Sequence, residues 1–188
     1  MSRIAALFIG LGLVLSVAGC AAPGAAQPTG EPTGAVTPTP NQSLVPSPAP
    51  VDVIAVDPVT YDDGFGDYVF KVGDGPTACS ISTMSNFVLC EQNEAAAVYQ
   101  PVPVPDTCEY SYGYQVRLWG AQPETGEIAE FACSGGPYAD AANAQILATG
   151  QSISVAGFTC FVENITARCE NSTGQWIALG PEVWSLNN

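Results

Sequence analysis

The stretch TCFVENITARC, residues 159–169, places two cysteines on either side of a polar turn. Apolar and polar residues alternate through the turn at Asn164 and Ile165, a pattern that predicts a β-hairpin with a two-residue loop. In that register Cys160 lies directly opposite Cys169. Opposed Cα atoms are about 4.5 to 5.5 Å apart, a distance that a disulfide bond can span. The stretch therefore predicts two antiparallel strands joined by a disulfide.

A second stretch, ACSISTMSNFVLC at residues 78–90, has the same pattern around Met84 and Ser85 and pairs Cys79 with Cys90. Each short loop closed in this way contributes roughly 2 to 3 kcal/mol of stability in the chain-entropy model. Both hairpins end on the dipeptide Cys-Glu, in LCEQN and in RCENS. This recurrence indicates a weak internal repeat.

A third disulfide, between Cys108 and Cys133, follows by elimination. Residues 108–119 (CEYSYGYQVRLW) and 127–133 (EIAEFAC) are predicted to be strands joined by a turn at 123–126. The register implied by that turn pairs Leu118 with Phe131 and Val116 with Cys133. Cys108 lies too far along this ladder for direct opposition, so the incoming chain or a different register must bring it to its partner.

A metal site and a catalytic thiol are the alternatives to disulfides for these six cysteines. The chain contains no histidine, and the C-x10-C and C-x8-C spacings differ from the C-x2-C pairs of zinc ribbons. A thiol nucleophile would also lack its usual base. We therefore predict three disulfides, no metal and no cofactor.

Short strands are predicted at several further places in the folded part of the sequence. They lie at residues 68–72, 152–155, 176–179 and 183–186, while the alanine-rich residues 138–147 are predicted to be helical. Short strands separated by glycine and proline are typical of all-β sandwiches and barrels. The fold predicted for residues 57–188 is therefore a small, disulfide-stapled antiparallel β sandwich or barrel, and about 130 residues suffice to bury a core.

One predicted strand carries a row of tyrosines. Period-two alternation places on one face Cys108, Tyr110, Tyr112, Tyr114, Val116 and Leu118. The three tyrosines are candidate ligand contacts that could stack on a sugar, and Trp176 is a fourth candidate. The alternative, which we favour, is the edge of a core with tyrosine hydroxyls reaching water.

The N-terminus has the layout of a secretory signal peptide. Arg3 precedes the apolar residues 4–17, which at ~1.5 Å per residue are too short to span a bilayer as a helix. The sequence Val17-Ala18-Gly19-Cys20 resembles the lipobox of bacterial lipoproteins, in which the cysteine is acylated and becomes the mature N-terminus. The resemblance implies a signal peptide over residues 1–19 and a lipid on Cys20, with an ordinary signal peptide as the alternative.

Lipidation of Cys20 would anchor the chain to the outer face of the cell membrane, since two or more acyl chains such as palmitate suffice for stable anchoring. It would also leave an even number of cysteines, because the chain has seven. Residues 20–56 contain half of the 16 prolines and few charges. Such a segment cannot bury enough apolar surface to fold, so we predict a disordered tether.

The chain is strongly acidic, with a formal net charge of −14. Loss of Arg3 with the signal peptide leaves 18 acidic residues against three basic ones, Lys71, Arg117 and Arg168, and a charge of −15. Nucleic acid and anionic lipid headgroups are therefore poor partners, and a cationic protein is a better one. The simpler interpretation, which we favour, is that an exported acidic surface maintains solubility.

The folded part resembles a family of actinobacterial exported proteins and lipoproteins without an assigned activity. That family opens on F-x-T-P-S-G-N-I-x-C and closes on F-x-C followed by V-x-C-x-N-x-x-T-G-H-G-F. The matching residues are Phe70, Gly75 and Cys79 in FKVGDGPTAC, and Phe158, Cys160, Cys169, Asn171, Thr173 and Gly174 in FTC and ARCENSTGQW. The resemblance implies the same fold and location. The family's histidine is replaced here by Gln175, and no reaction is implied.

No catalytic motif emerges from the sequence. Without histidine, serine and cysteine triads are not expected, and no phosphate-binding glycine loop is present. The acidic stretch YDDGFGD, residues 61–67, departs from the D-x-D-x-D-G calcium loop and is interpreted as solvated loop acids. We predict a non-catalytic binding or envelope-associated module. The alternatives are an acidic inhibitor of a cationic extracytoplasmic enzyme such as lysozyme, and a carboxylate-based hydrolase of cell-wall glycan.

Overall fold

The computed structural model describes residues 52–124 and 126–188. The strands in this part of the chain are β1 (Ile54–Ala55), β2 (Asp67–Val72), β3 (Ala78–Ser82), β4 (Phe87–Glu91), β5 (Gln115–Trp119), β6 (Ala129–Phe131), β7 (Gln145–Leu147), β8 (Gln151–Val155), β9 (Phe158–Glu163), β10 (Thr166–Asn171), β11 (Trp176–Leu179) and β12 (Trp184–Asn187). Three single-turn 3-10 helices occupy Pro58–Tyr61, Glu94–Ala96 and Ala141–Asn143. The all-β prediction is confirmed.

Several predicted features lie outside the described residues. They are the signal peptide, the lipidated Cys20 and the tether up to residue 51. Within the described part, no helix is long and apolar enough to cross a membrane. The first strand, β1, already pairs with β8, so the sheet begins before the predicted domain boundary at residue 57.

The strands form two six-stranded sheets. Sheet A has the order β1-β8-β9-β10-β11-β12, and sheet B has the order β6-β5-β4-β3-β2-β7. Side chains from the inner faces of both sheets share one buried cluster, which includes Phe70 and Ile81 of sheet B and Phe158 and Ile177 of sheet A. Of the two predicted architectures, the structure is therefore the sandwich.

The chain builds both sheets in the same way. The first half, β1–β6, and the second half, β7–β12, each consist of one short strand followed by five antiparallel neighbours. The short strand joins the sheet of the other half, because β1 pairs in parallel with β8 and β7 pairs in parallel with β2. The two cysteine hairpins occupy equivalent places, β3–β4 and β9–β10. The repeat indicated by the Cys-Glu dipeptides is thus a repeat of topology.

All three predicted disulfides are present. In the two hairpins Cys79 lies opposite Cys90 and Cys160 lies opposite Cys169, with Cα atoms 4.1 and 4.0 Å apart, as predicted from the turns. These four cysteines face inward and are at most 1 % exposed. The two disulfides meet between the sheets, where the Sγ atoms of Cys90 and Cys169 are 3.9 Å apart. Each hairpin therefore places a crosslink at the centre of the core.

The register predicted for β5 and β6 is wrong by two residues. Val116 pairs with Phe131 and Leu118 pairs with Ala129. The register differs because the ladder closes with a hydrogen bond from Trp119 N to Ile128 O, which leaves more than four residues between β5 and β6. A turn type inferred from composition alone cannot set the register when the loop is this long.

The N-terminal part of the predicted tyrosine strand is not a regular strand either. Residues 108–114 contribute one isolated bridge, from Ser111 to Ser134, before β5 begins. Gly113 has φ of +93°, a conformation that breaks the alternation of side chains and that residues with a Cβ rarely adopt. The irregular path brings Cys108 to Cys133, with Cα atoms 5.6 Å apart, so the third disulfide forms without direct opposition.

The helix predicted over residues 138–147 is also wrong. The segment contains the single turn Ala141–Asn143, capped by the Asp140 carboxylate, which accepts a hydrogen bond from Ala142 N. It then continues into β7, where the fully buried Leu147 pairs with Val72. Alanine has the highest helix propensity, but propensity contributes less than about 1 kcal/mol per residue, and pairing with the sheet overrides it.

Candidate functional site

Two connections of the first half build a groove on sheet B. The link between β4 and β5, residues 92–114, is long, whereas the equivalent link in the second half, residues 172–175, is a tight turn. The link that follows β6, residues 132–144, crosses the outer face of the same sheet. The groove between them has a volume of about 870 Å³, within the range of ligand pockets.

The floor of the groove is a row of three neighbouring residues. Ala78, Glu91 and Gln115 lie side by side on β3, β4 and β5. Their sequence neighbours Cys79, Cys90 and Val116 face the core, so alternation along the strands turns the floor residues outward.

Glu91 holds one wall of the groove in place. Its carboxylate accepts hydrogen bonds from Tyr138 N at 2.9 Å and from Ala139 N at 3.2 Å, and it also accepts one from Gln115 Nε2 at 2.6 Å. Gln115 Nε2 donates to Gly136 O at 2.9 Å as well. Hydrogen bonds to a charged acceptor are about twice as strong as neutral ones. Residues 134–141, which we call the strap, are therefore fixed to the sheet through one carboxylate.

Tyr138 extends the strap along the sheet. Its ring packs edge-on against Phe87, with ring centroids 5.3 Å apart, and its hydroxyl donates to Asp67 Oδ2 at 3.4 Å. Burial raises the pKa of Tyr138, a hydrogen bond with Ser82 lowers it, and the Asp67 carboxylate raises it further. The strap thereby lies over the apolar outer patch of Phe87 and Leu89.

The opposite wall rests on a buried polar network. Thr77 Oγ1 donates to Gln92 Oε1 at 3.0 Å, Gln92 Nε2 donates to Tyr99 Oη at 3.0 Å, and Tyr99 Oη donates to Gly113 O at 2.7 Å. Burial raises the pKa of Tyr99 to about 12, so this hydroxyl remains a donor at neutral pH. Gln92 also donates to Gly180 O, which ties the wall to sheet A.

Tyr114 forms the face of that wall. Its ring stacks on Tyr99 with centroids 6.4 Å apart and planes inclined by 25°. Burial raises the pKa of Tyr114, and the charge of Glu94 with its hydrogen bond to the hydroxyl raises it further. The residues that line the groove therefore include Tyr114 on one side and Tyr138 on the other, while the Tyr138 ring lies over Phe87.

The charge of the groove is negative. Glu91, Glu94 and Asp140 line it, and its lining residues include no lysine or arginine. Arg117 lies on the same sheet face but pairs with Glu130 at 2.6 Å and stacks on the Trp119 ring at 4.5 Å.

The four predicted ligand contacts are not brought together. Tyr114 lines the groove, whereas Tyr112 packs against Phe131, with ring centroids 5.5 Å apart. Tyr110 is 65 % exposed. Trp176 lies on sheet A, where the Arg168 guanidinium stacks on its ring at 4.4 Å. A continuous platform of three tyrosines is therefore not formed.

Several residues of the groove were not identified from the sequence. The Cys-Glu dipeptide marked Glu91 only as part of a repeat, and nothing in the sequence singled out Gln115 or Tyr138. Among the described residues, one group of three potential metal ligands has its atoms within 4.8 Å of one another, namely Cys79, Cys90 and Cys169. All three belong to disulfides and so offer no thiolate.

Comparison with protein-family models, with curated proteins and with solved structures finds no match to this chain. The resemblance to the exported actinobacterial family therefore stays a prediction.

Proposed function

We propose that the chain is a membrane-anchored extracytoplasmic lipoprotein whose folded domain binds a cationic ligand in the groove without chemical turnover. The observation that supports this proposal is a groove lined by three acidic residues and by Tyr114 and Tyr138, with no lysine or arginine among its lining residues. Carboxylates attract ammonium and guanidinium groups, and aromatic faces add cation–π attraction. Lysine carries an ammonium group and arginine a guanidinium group, so a basic polypeptide is a ligand of this kind.

The role of Glu91 favours binding over hydrolysis. Both of its oxygens already accept hydrogen bonds from the strap or from Gln115. A carboxylate in this position serves as a structural acceptor, and Glu94 and Asp140 are then left to meet the ligand. Cleavage of cell-wall glycan remains the competing function, and it is tested in the same experiment.

The groove is tested by removing these two charges. Replacing Glu94→Gln and Asp140→Asn together is expected to weaken binding of a lysine-rich peptide about tenfold at physiological salt, because each partly exposed ion pair contributes up to ~1 kcal/mol. The asparagine keeps an oxygen that can accept from Ala142 N, so the turn is preserved. Isothermal titration calorimetry measures the affinity.

The matched control neutralises two exposed acids that do not line the groove, Glu163→Gln with Glu124→Gln. It should bind the peptide nearly as well as the parent chain. If both double variants lost the same affinity for the peptide, net charge alone would explain the loss, and that result would contradict a binding site in the groove. A soluble cell-wall glycan is assayed in parallel, and glycan cleavage that disappears with one carboxylate while the fold is intact would replace binding by hydrolysis.

A second candidate function, inhibition of a cationic extracytoplasmic enzyme, is favoured by one specific observation. Within the stretch 61–67, residues 62–65 form an exposed loop with two aspartates at the end of sheet B, away from the floor of the groove.

The anchor is tested separately from the groove. Cys20→Ala is expected to move the protein from the membrane fraction to the medium, or to leave it as an unprocessed precursor, because the acylated thiol is lost. Cell fractionation with metabolic labelling by a fatty acid measures this. A variant that stays lipid-labelled and membrane-bound would contradict lipidation at this cysteine.

A further inference from the structure

Two adjacent loops form an acidic and apolar tip at one end of sheet B. They are residues 62–66, which lead into β2, and the hairpin turn 83–86 between β3 and β4. Phe65 is 82 % exposed and Met84 is 81 % exposed, the two highest values among the exposed large apolar residues of the described chain. The loops touch, because a Cβ built on Gly66 would lie 3.2 Å from Met84 Cγ. Both apolar side chains therefore project from one small surface.

Hydrogen bonds fix the backbone of the tip. Thr83 donates to Gly66 O from its backbone N at 3.0 Å and from its hydroxyl at 2.8 Å, which locks the two loops together. Asp63 Oδ1 accepts from Phe65 N at 2.8 Å and from Asp67 N at 3.2 Å. A surface fixed before binding loses little conformational entropy when a partner docks.

The charged side chains around Phe65 and Met84 are all negative. Asp62 and Asp63 belong to the first loop, Asp67 follows it as the first residue of β2, and neither loop contains lysine or arginine. An apolar contact with a polar rim is the usual anatomy of a protein interface. The complementary surface is an apolar pocket with a basic rim.

We propose that this tip is a docking surface that inserts Phe65 and Met84 into an apolar pocket on a basic protein. A second copy of this chain does not fit, because its net charge is −14 and the three basic side chains in the described part of the chain are already engaged by its own residues. A bacterial membrane surface does not fit either, since anionic headgroups repel three carboxylates.

The tip is separate from the floor of the groove, although Tyr138 of the strap reaches the Asp67 carboxylate beside the tip. Along β3, Ala78 lies at the groove and Ser82 lies next to the tip, about 13 Å away at 3.3 Å per residue. The proposal therefore goes beyond the groove's function, and the two surfaces can fail independently.

Photo-crosslinking in the full-length chain tests the proposal. The probe is p-benzoylphenylalanine, placed at position 65 or 84 and, as the control, at Val98, which is 71 % exposed and lies outside both loops. We expect positions 65 and 84, but not 98, to crosslink the same basic protein in intact cells. Once purified, that protein should bind Phe65→Ser and Met84→Ser each about tenfold or more weakly than the parent chain. Each variant removes one apolar side chain that becomes buried when the partner docks.

The controls separate the tip from the groove and from the fold. Val98→Ser and the Glu94→Gln, Asp140→Asn double variant should keep the parent affinity for this partner. Circular dichroism should find every variant folded, since the replaced side chains are exposed. Crosslinking to the chain itself, to lipid, to glycan or to an acidic protein would overturn the proposal. So would the absence of a crosslink at both tip positions, or equal crosslinking at Val98.

Discussion

Replacing the four hairpin cysteines with alanine, Cys79→Ala, Cys90→Ala, Cys160→Ala and Cys169→Ala together, should lower the free energy of unfolding by roughly 5 kcal/mol. Each short loop accounts for about 2 to 3 kcal/mol in the chain-entropy model. The lost packing adds to this figure, because all four side chains lie at the centre of the core. Domains are stable by only about 5 to 15 kcal/mol, so this variant should be at the limit of folding.

Urea denaturation followed by circular dichroism measures the loss as a shift of the transition midpoint. The control is Cys108→Ala with Cys133→Ala, which removes a disulfide whose Cys133 end is exposed and outside the core. The control should lose about 3 to 4 kcal/mol from its longer loop while keeping a cooperative transition. A quadruple variant with the midpoint of the parent chain would show that the hairpin crosslinks do not stabilise the sandwich.

The success of the hairpin predictions has a local physical cause. A short turn fixes the register of its two strands, so opposed residues can be deduced from sequence distance alone. In the structure Asn164 and Asn86 have positive φ values of 55° and 54°, in the two turns that sequence analysis identified. Asparagine adopts this conformation more readily than most residues. Everything that determines these hairpins lies within a few residues of the turn.

The groove could not be predicted because its contacts are distant in the sequence. Glu91 meets Tyr138 across 47 positions, and Gln92 meets Gly180 across 88. Neither contact leaves a periodic pattern in the sequence, and part of the strap itself was predicted to be helical. The hydrophobic pattern determines which face of a strand is buried. It does not show which loop covers the opposite face, and that is where the candidate site lies.

The repeated topology explains why only one half carries a groove. The two halves place Glu91 and Glu170 at equivalent positions, each directly after a disulfide cysteine on the third strand of its meander. After Glu170 the chain turns back at once, whereas after Glu91 it runs through residues 92–114 before returning as β5. The same framework thus carries a long wall on sheet B and a short turn on sheet A.

Glu91→Ala should cost about 3 kcal/mol of stability and abolish ligand binding in the groove. The variant leaves Tyr138 N, Ala139 N and Gln115 Nε2 without their charged acceptor, and a hydrogen bond to a charged group is worth about 1.5 to 3 kcal/mol. The loss stays below the sum of three such bonds because the strap is partly exposed and water replaces some of them. Urea denaturation measures the stability, and amide hydrogen exchange at residues 134–141 measures release of the strap.

The equivalent position in the other half supplies the control for this variant. Glu170 makes an ion pair with Arg168 at 3.6 Å and is half-exposed, so Glu170→Ala should cost at most about 1 kcal/mol and leave the strap protected from exchange. Glu91→Gln keeps one acceptor oxygen and should lie between the two alanine variants in stability. If Glu91→Ala were no more destabilised than Glu170→Ala, with exchange in the strap unchanged, Glu91 would not fix this wall and the groove would owe its shape to the Tyr138 ring on Phe87.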